Sequence, residues 1–240
     1  MRTPAPDELL DAWDAGWALP AAERTRPLLR AAGADDGPLE LSIGERERVL
    51  VALRERLFGP VLSARASCPA CGVALELTIA TSELLAAASS SEPLAVRAEG
   101  FVVSCRPLRP ADLVDAAATG SAAAARELLV ARAVLTAEHD GRPVTADALP
   151  VEVVTAIAAA LSEADPLADV ELPVRCDACG AVWSNPLDVG RYLWLEIDAW
   201  ARRLLAEIHV LARAYGWAER EILGLSTRRR RHYLELVADG

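Results

Sequence analysis

The chain has 240 residues, of which 52% are hydrophobic, and this is enough apolar material for one large domain or two small ones. Its 35 acidic and 25 basic residues give a net charge of −10, which argues against a surface devoted to the phosphate backbone of nucleic acid. No stretch reaches the roughly 18 uninterrupted apolar residues that a membrane span requires, so we expect no membrane partner.

The N-terminal segment predicts broken helix in a cytoplasmic protein. It opens with "MRTPAPDELLDAW", which has acidic residues where a secretory signal has a basic segment and then an apolar run. A helical pattern from Glu8 to Leu29 is interrupted at Pro20, and "AAGADDGP" follows as a turn-rich linker. Residues 1–37 are therefore predicted to be a helical arm and linker, and residues 38–240 a single core domain.

The core is predicted to begin with a capped helix in "SIGERERVLVALRERLFGP". Ser42 is the expected N-cap, and Glu45 stands three residues on, as in a capping box. Gly59 and Pro60 are expected to end the helix. Its apolar positions share one face: Val49, Leu50, Leu53 and Leu57.

Two β-hairpins are predicted, and each has a pair of cysteines at its tip. Apolar and polar residues alternate on both sides of "CPACG", residues 68–72, and again around "CDACG", residues 176–180. The hairpins are expected to cover residues 61–80 and 169–187.

Between the hairpins we predict an inserted unit of strands and helices, residues 93–166. "LAVRAEGFVVSCRPL" predicts two strands that turn at Glu99 and Gly100. "RPADLVDAAATGSAAAARELLVARAVLTA" predicts helix interrupted near Gly120, and "PVEVVTAIAAALSEADP" predicts another helix.

C-terminal helices are expected over residues 190–238. The first runs from Arg191 to Tyr215, and the last from about Thr227 to Val237. Apolar residues in the first recur at steps of three and four, which predicts a buried stripe: Leu193, Ile197, Trp200, Leu204, Ile208, Leu211 and Tyr215.

The two cysteine pairs predict a zinc ribbon. A Cys-x-x-Cys turn directs two thiolates to one side, the glycine after it permits a backbone that aims N–H groups at the sulfurs, and two such turns complete a tetrahedron. The predicted fold is therefore α+β, mainly helical, with a discontinuous four-cysteine zinc ribbon made of two β-hairpins. The ligands of its structural Zn²⁺ would be Cys68, Cys71, Cys176 and Cys179.

Three other interpretations of these cysteines stay open. A redox dithiol would place its pair between a strand and a helix, whereas alternating strand sequence follows each pair here. A catalytic zinc would need an open coordination position, and usually a histidine or carboxylate ligand. The four cysteines could also be buried without a ligand. The fifth cysteine, Cys105, is expected to be a small core residue.

The C-terminal segment has the one basic cluster of the sequence. A solvated first turn of helix explains it, and partner binding is the next interpretation because arginine and aromatic residues are enriched at interfaces. A zinc-ribbon regulator that binds nucleic acid through the arginines is the alternative. The candidate partner-binding residues are Trp194, Trp217, Arg228, Arg229, Arg230, Arg231 and Tyr233.

The order of these features resembles a family of bacterial proteins encoded with contractile injection systems and related to phage T4-type baseplate hub assembly proteins. The likeness rests on "ELLDAWDAG", "LSIGERERVLVALRERLFGPVLSARASCPACGVALEL", "CRPLRPADL" and the stretch from "CDACGAVWSNPLDVG" through "YLWLEIDAWA" to the terminal "STRRRRHYLELV". Tyr192 stands where the family pattern leads us to expect phenylalanine.

The resemblance implies a non-enzymatic role in building a baseplate, as a chaperone or as a structural component. It also implies that the two cysteine turns bind the metal, and that the segment from Tyr192 to Tyr233 contacts partners. Those partners would be baseplate or tail-hub proteins of a contractile particle.

Overall fold

The computed structural model describes residues 1–34, 41–86, 88–90 and 92–239. The fold is α+β and mainly helical, as predicted. It divides into two compact units: a helical unit, Met1–Ala34 with Gly190–Gly240, and a sheet unit, Asp35–Val189. Within the described part of the chain, no helix combines the length and apolarity needed to cross a bilayer.

The elements follow in chain order. The helices are α1 (Pro6–Trp17), α2 (Arg26–Ala31), α3 (Ile43–Phe58), α4 (Thr81–Leu85), α5 (Pro110–Ala118), α6 (Ala122–Ala133), α7 (Val151–Ala164), α8 (Val189–Tyr215), α9 (Glu219–Leu223) and α10 (Thr227–Ala238). The strands are β1 (Val61–Ser67), β2 (Ala74–Ala80), β3 (Leu94–Ala98), β4 (Phe101–Cys105), β5 (Val134–His139), β6 (Arg142–Pro143), β7 (Glu171–Arg175) and β8 (Val182–Pro186). Helices α4 and α9, each of five residues, were not predicted, because a single turn shows no periodicity.

Helix α3 opens the described core of the sheet unit with the predicted capping box. The Glu45 N–H donates to Ser42 Oγ at 3.1 Å, and the Ser42 N–H donates to Glu45 Oε2 at 3.3 Å. The helix ends before Gly59, whose φ of 94° lies in the region that favours glycine. Leu50 and Leu53 are fully buried, so the predicted face packs inward.

Among the described residues of the sheet unit there are three sheets, and all are antiparallel. Strands β1 and β2 form one hairpin, and β7 and β8 form another, which confirms the two predicted hairpins. The third sheet has the order β3-β4-β5-β6, and its β3–β4 turn falls at Glu99 and Gly100 as predicted. One of its faces packs with residues around α7 in a core: Val96, Val103, Cys105, Ala137, Leu149, Val153 and Ile157.

The prediction that helix continues to Ala137 was wrong. Helix α6 ends at Ala133, and the chain enters β5 at Val134. Val134 and Thr136 are β-branched and favour extended backbone, but the pairing of β5 with β4 decides the change. Because this pairing joins distant residues, local periodicity could not reveal it.

An ion pair between half-buried Arg106 and buried Asp112 fixes the start of α5. Arg106 donates to both carboxylate oxygens of Asp112, at 2.9 and 3.0 Å, and the Arg109 N–H donates at 2.8 Å. Burial alone would raise the pKa of Asp112, but these hydrogen bonds outweigh it and hold the pKa below its usual range. The ionised carboxylate is therefore the form that the fold stabilises.

The helical unit is organised around α8. Its predicted stripe is buried at Leu193, Ile197, Leu204, Ile208 and Leu211, while Trp200 is half-buried. At the end of the stripe Tyr215 is 39% exposed, so the prediction of its burial was wrong. Packed with α8 are Leu10 of α1 and Ile222 of α9.

Residues 1–34 belong to the helical unit together with residues 190–240. The sequence instead predicts an arm and linker over residues 1–37 and a single core domain over residues 38–240. The Trp13 Nε1–H donates to Asp198 Oδ1 at 3.0 Å, and the rings of Trp17 and Trp194 meet edge to face at 6.1 Å. At Gly16 a Cβ atom would lie 2.5 Å from the Trp194 ring. The N-terminal segment therefore packs closely against α8, because its apolar face is buried there.

Candidate metal centre

The tips of the two hairpins bring four thiols together. One sulfur from each of Cys68, Cys71, Cys176 and Cys179 forms a group, here called the thiol cluster, whose atoms all lie within 4.8 Å of one another. Two of the separations join the two hairpins: the Sγ atoms of Cys68 and Cys179 are 3.6 Å apart, and those of Cys71 and Cys176 are 3.7 Å apart. A cluster of this kind could hold a metal ion.

These separations fit a tetrahedral ion. Four sulfurs at about 2.3 Å from a central zinc would be about 3.8 Å apart along each edge of the tetrahedron. A disulfide would need about 2.05 Å, and all the cysteines are free. The thiol cluster therefore has the spacing of a four-sulfur metal site.

The two tips have the same backbone arrangement. The Gly72 N–H donates to the Cys68 carbonyl at 2.9 Å, and the Gly180 N–H donates to the Cys176 carbonyl at 2.8 Å. Both glycines have positive φ, 74° and 76°, and a Cβ at either would meet no atom within 4 Å. Glycine is thus favoured for its backbone conformation rather than for lack of space.

The surroundings of Cys68 and Cys179 shift the pKa values of their thiols in opposite directions. Burial raises the pKa of the Cys68 thiol, but hydrogen bonds that include the N–H groups of Cys71 and Ala70 bring it down to about 6. The N–H of Ala181 lowers the pKa of Cys179, yet its neighbouring sulfurs raise it to about 12. Negative charge on one thiolate therefore opposes ionisation of the next, and binding of a cation would be coupled to release of protons.

One side of the thiol cluster meets solvent. The first cysteine of each pair is buried, with Cys68 at 2% and Cys176 at 0% exposure, whereas Cys71 and Cys179 are exposed. The buried pair anchors the site to the hairpins, and the exposed pair leaves a path for an ion to enter.

The arrangement differs from that of a redox dithiol. Each cysteine pair joins two strands instead of leading from a strand into a helix. Cys105 lies in the core beside β3, where its thiol donates to the Leu94 carbonyl at 3.7 Å and burial raises its pKa. Its burial agrees with the expected role as a small core residue.

The chemistry of the thiol cluster is inferred from its own residues. No protein-family model, curated protein or solved structure matches the chain. Within the described residues, neither histidine nor carboxylate belongs to the cluster. Four thiolates would complete a tetrahedron around an ion and leave no position for an activated water.

Two of the candidate partner-binding residues are buried. Trp194 is 5% exposed and packs against Gly16 and Trp17 of α1. Arg230 is 4% exposed; it donates to the Leu225 carbonyl at 2.8 Å and to Glu207 at 3.3 Å. Both side chains are therefore used inside the fold and are not accessible at its surface, which leaves the other five candidates for the predicted partner contact.

The other candidates lie at the surface. Arg228, Arg229 and Arg231 are exposed, and Trp217 and Tyr233 are half-buried. The last two form an aromatic cluster with Tyr215, in which the ring centroids of the three pairs are 4.7, 4.9 and 5.7 Å apart: Tyr215–Trp217, Trp217–Tyr233 and Tyr215–Tyr233. Tyr215 was not among the candidates, since its place in the predicted stripe suggested burial.

Proposed function

We propose that the thiol cluster holds one structural zinc ion, and that the chain is a non-enzymatic baseplate assembly protein of a contractile phage-tail-like particle. It would bind partner proteins as a zinc-stabilised scaffold. The observation that carries the zinc proposal is the group of four thiol sulfurs within 4.8 Å.

The proposed ion would act as a cross-link within the sheet unit. Cys71 and Cys176 are 105 positions apart, so holding them together in the unfolded chain costs about 4 kcal/mol of loop entropy. Structural zinc in small domains contributes roughly 10 to 16 kcal/mol of apparent binding free energy, which exceeds that cost. The hairpin tips and everything folded between them would thus be held in one arrangement.

A binding role is favoured over catalysis by the partners of two carboxylates on α8. Asp198 accepts a hydrogen bond from Arg202 at 2.9 Å, and Glu207 pairs with Arg230. These carboxylates, which lie on α8, have structural partners instead of facing an open site. A closed four-sulfur metal site likewise has no position at which a substrate could bind.

The baseplate role rests on the family resemblance of the sequence. The resemblance includes the two cysteine turns, which would bind the metal, and the segment from Tyr192 to Tyr233, which would contact partner proteins. Baseplate or tail-hub proteins are the partners proposed.

The metal proposal is tested by elemental analysis of the purified protein. We expect one zinc per chain in the wild type and in Cys105→Ala, and loss of zinc in Cys176→Ala. Both cysteines are 0% exposed, so the two variants remove equally buried thiols, but only one belongs to the thiol cluster. Wild-type protein without bound metal after purification with zinc in the medium would contradict the proposal.

The assembly proposal is tested by capture of tail tube and hub proteins co-expressed with the tagged chain. We expect retention of at least one of them, and loss of retention when zinc is removed. Finding the chain in purified particles would identify a structural component, and finding it only in subassemblies would identify a chaperone. Retention of neither protein would contradict the assembly role.

A further inference from the structure

We propose that Arg228, Arg229 and Arg231, here called the arginine surface, form a docking site for a short acidic segment of a partner protein. This inference rests on the proposed partner-binding function and names the chemistry of the partner. It assigns the role to three of the four arginines, because Arg230 is used inside the fold.

The arginine surface occupies the first turns of α10. Ser226 caps this helix, and its Oγ accepts from the Arg229 N–H at 3.3 Å, so the backbone that presents the arginines is fixed. All three side chains are exposed. Within the described residues, none of the three guanidinium groups has an ion-pair partner, whereas Arg230 beside them has Glu207.

This placement is unfavourable for the isolated helix. The N-terminal turn of a helix carries partial positive charge, so acidic side chains stabilise it and arginines destabilise it. Arg228 and Arg231 are also three positions apart, which puts like charges side by side on the helix. Because the first turn of α10 contains no acidic residue, an anion supplied from outside would relieve both repulsions.

The chemistry of the occupant follows from the side chains. A guanidinium group binds a carboxylate through two parallel hydrogen bonds, and three of them within four consecutive positions of one helix can each bind a carboxylate of the same segment. Tyr233 lies one turn after Arg229 and belongs to the aromatic cluster, where Tyr215 is 39% exposed. An acidic segment with an apolar residue would contact both surfaces.

A protein segment is favoured over nucleic acid by charge. The chain carries a net charge of −10, which repels a long polyanion but has little effect on a segment with a few carboxylates. The affinity for nucleic acid also rises with the number of basic side chains that contact phosphates, and burial of Arg230 leaves only three of the four arginines accessible.

The test uses the full-length protein and a fluorescein-labelled short peptide that contains four consecutive glutamates and one leucine, with binding followed by anisotropy at low salt. The triple variant Arg228→Gln, Arg229→Gln, Arg231→Gln should bind the peptide about tenfold or more weakly than the wild type. The matched control removes the same charge from exposed arginines of the sheet unit, outside the segment proposed to contact partners, and should change the affinity less than about twofold: Arg97→Gln, Arg126→Gln and Arg142→Gln.

Three results would overturn the docking site. They are no peptide binding by wild-type protein at low salt, an equal loss of affinity in the control variant, and tighter binding of a labelled single-stranded DNA decamer than of the peptide. Thermal unfolding of both variants checks that α10 remains folded. If the peptide fails while the wild-type chain holds zinc and retains a hub protein, the docking site is wrong and the assembly role stands.

Discussion

Replacement of Cys176 by alanine, compared with replacement of Cys105, separates metal binding from ordinary core packing. Both thiols are fully buried, so each replacement removes one buried sulfur and leaves a small cavity, which costs about 1 kcal/mol. Only Cys176 lies in the thiol cluster. At free zinc about a thousandfold above the dissociation constant, bound metal adds about 4 kcal/mol of stability, and Cys176→Ala should lose most of it.

Hydrogen exchange followed by mass spectrometry measures this difference within the sheet unit. The informative peptides contain the Gly72 and Gly180 N–H groups, which are bonded at the hairpin tips. We expect faster exchange there in Cys176→Ala and in chelator-treated wild type, and a preserved response to chelator in Cys105→Ala. If both variants exchange alike and the chelator leaves the wild type unchanged, the thiol cluster does not bind a stabilising metal.

The remaining predictions concern the helical unit and the start of α5. Gly16→Ala should lower the unfolding temperature, with a cost of about 1 to 3 kcal/mol, because its Cβ would overlap the Trp194 ring; tryptophan fluorescence during heating measures it. Arg230→Ala should cost about 3 kcal/mol in urea unfolding and Arg228→Ala less than about 0.5 kcal/mol, since only the first side chain is buried and bonded; equal costs would contradict this. Since the folded-state pKa of Asp112 is lowered, its stabilising contribution is complete above about pH 4 and falls as the pH drops through the folded-state pKa; wild type and Asp112→Asn should therefore converge in stability in acid, as followed by circular dichroism.

Elements with a local cause were predictable from the sequence. The capping box at Ser42 and Glu45 satisfies backbone groups within one turn, so its residues alone indicate a helix start. The turn at Glu99 and Gly100 likewise depends on the backbone freedom of its own residues. Alternation with period two placed the hairpins, and the repeated Cys-x-x-Cys-Gly pattern placed all four thiols at their tips.

Only the tertiary structure decided the features that depend on distant residues. The change from α6 to β5 required β4 as a pairing partner, and the packing of residues 1–34 required the surface of α8. Arg228 and Arg230 have the same side chain, but the packing of α10 buries Arg230 and leaves Arg228 exposed. Burial and long-range pairing depend on contacts between segments that are distant in the sequence, so they are decided only when the chain folds. Caps and turns are determined by neighbouring residues.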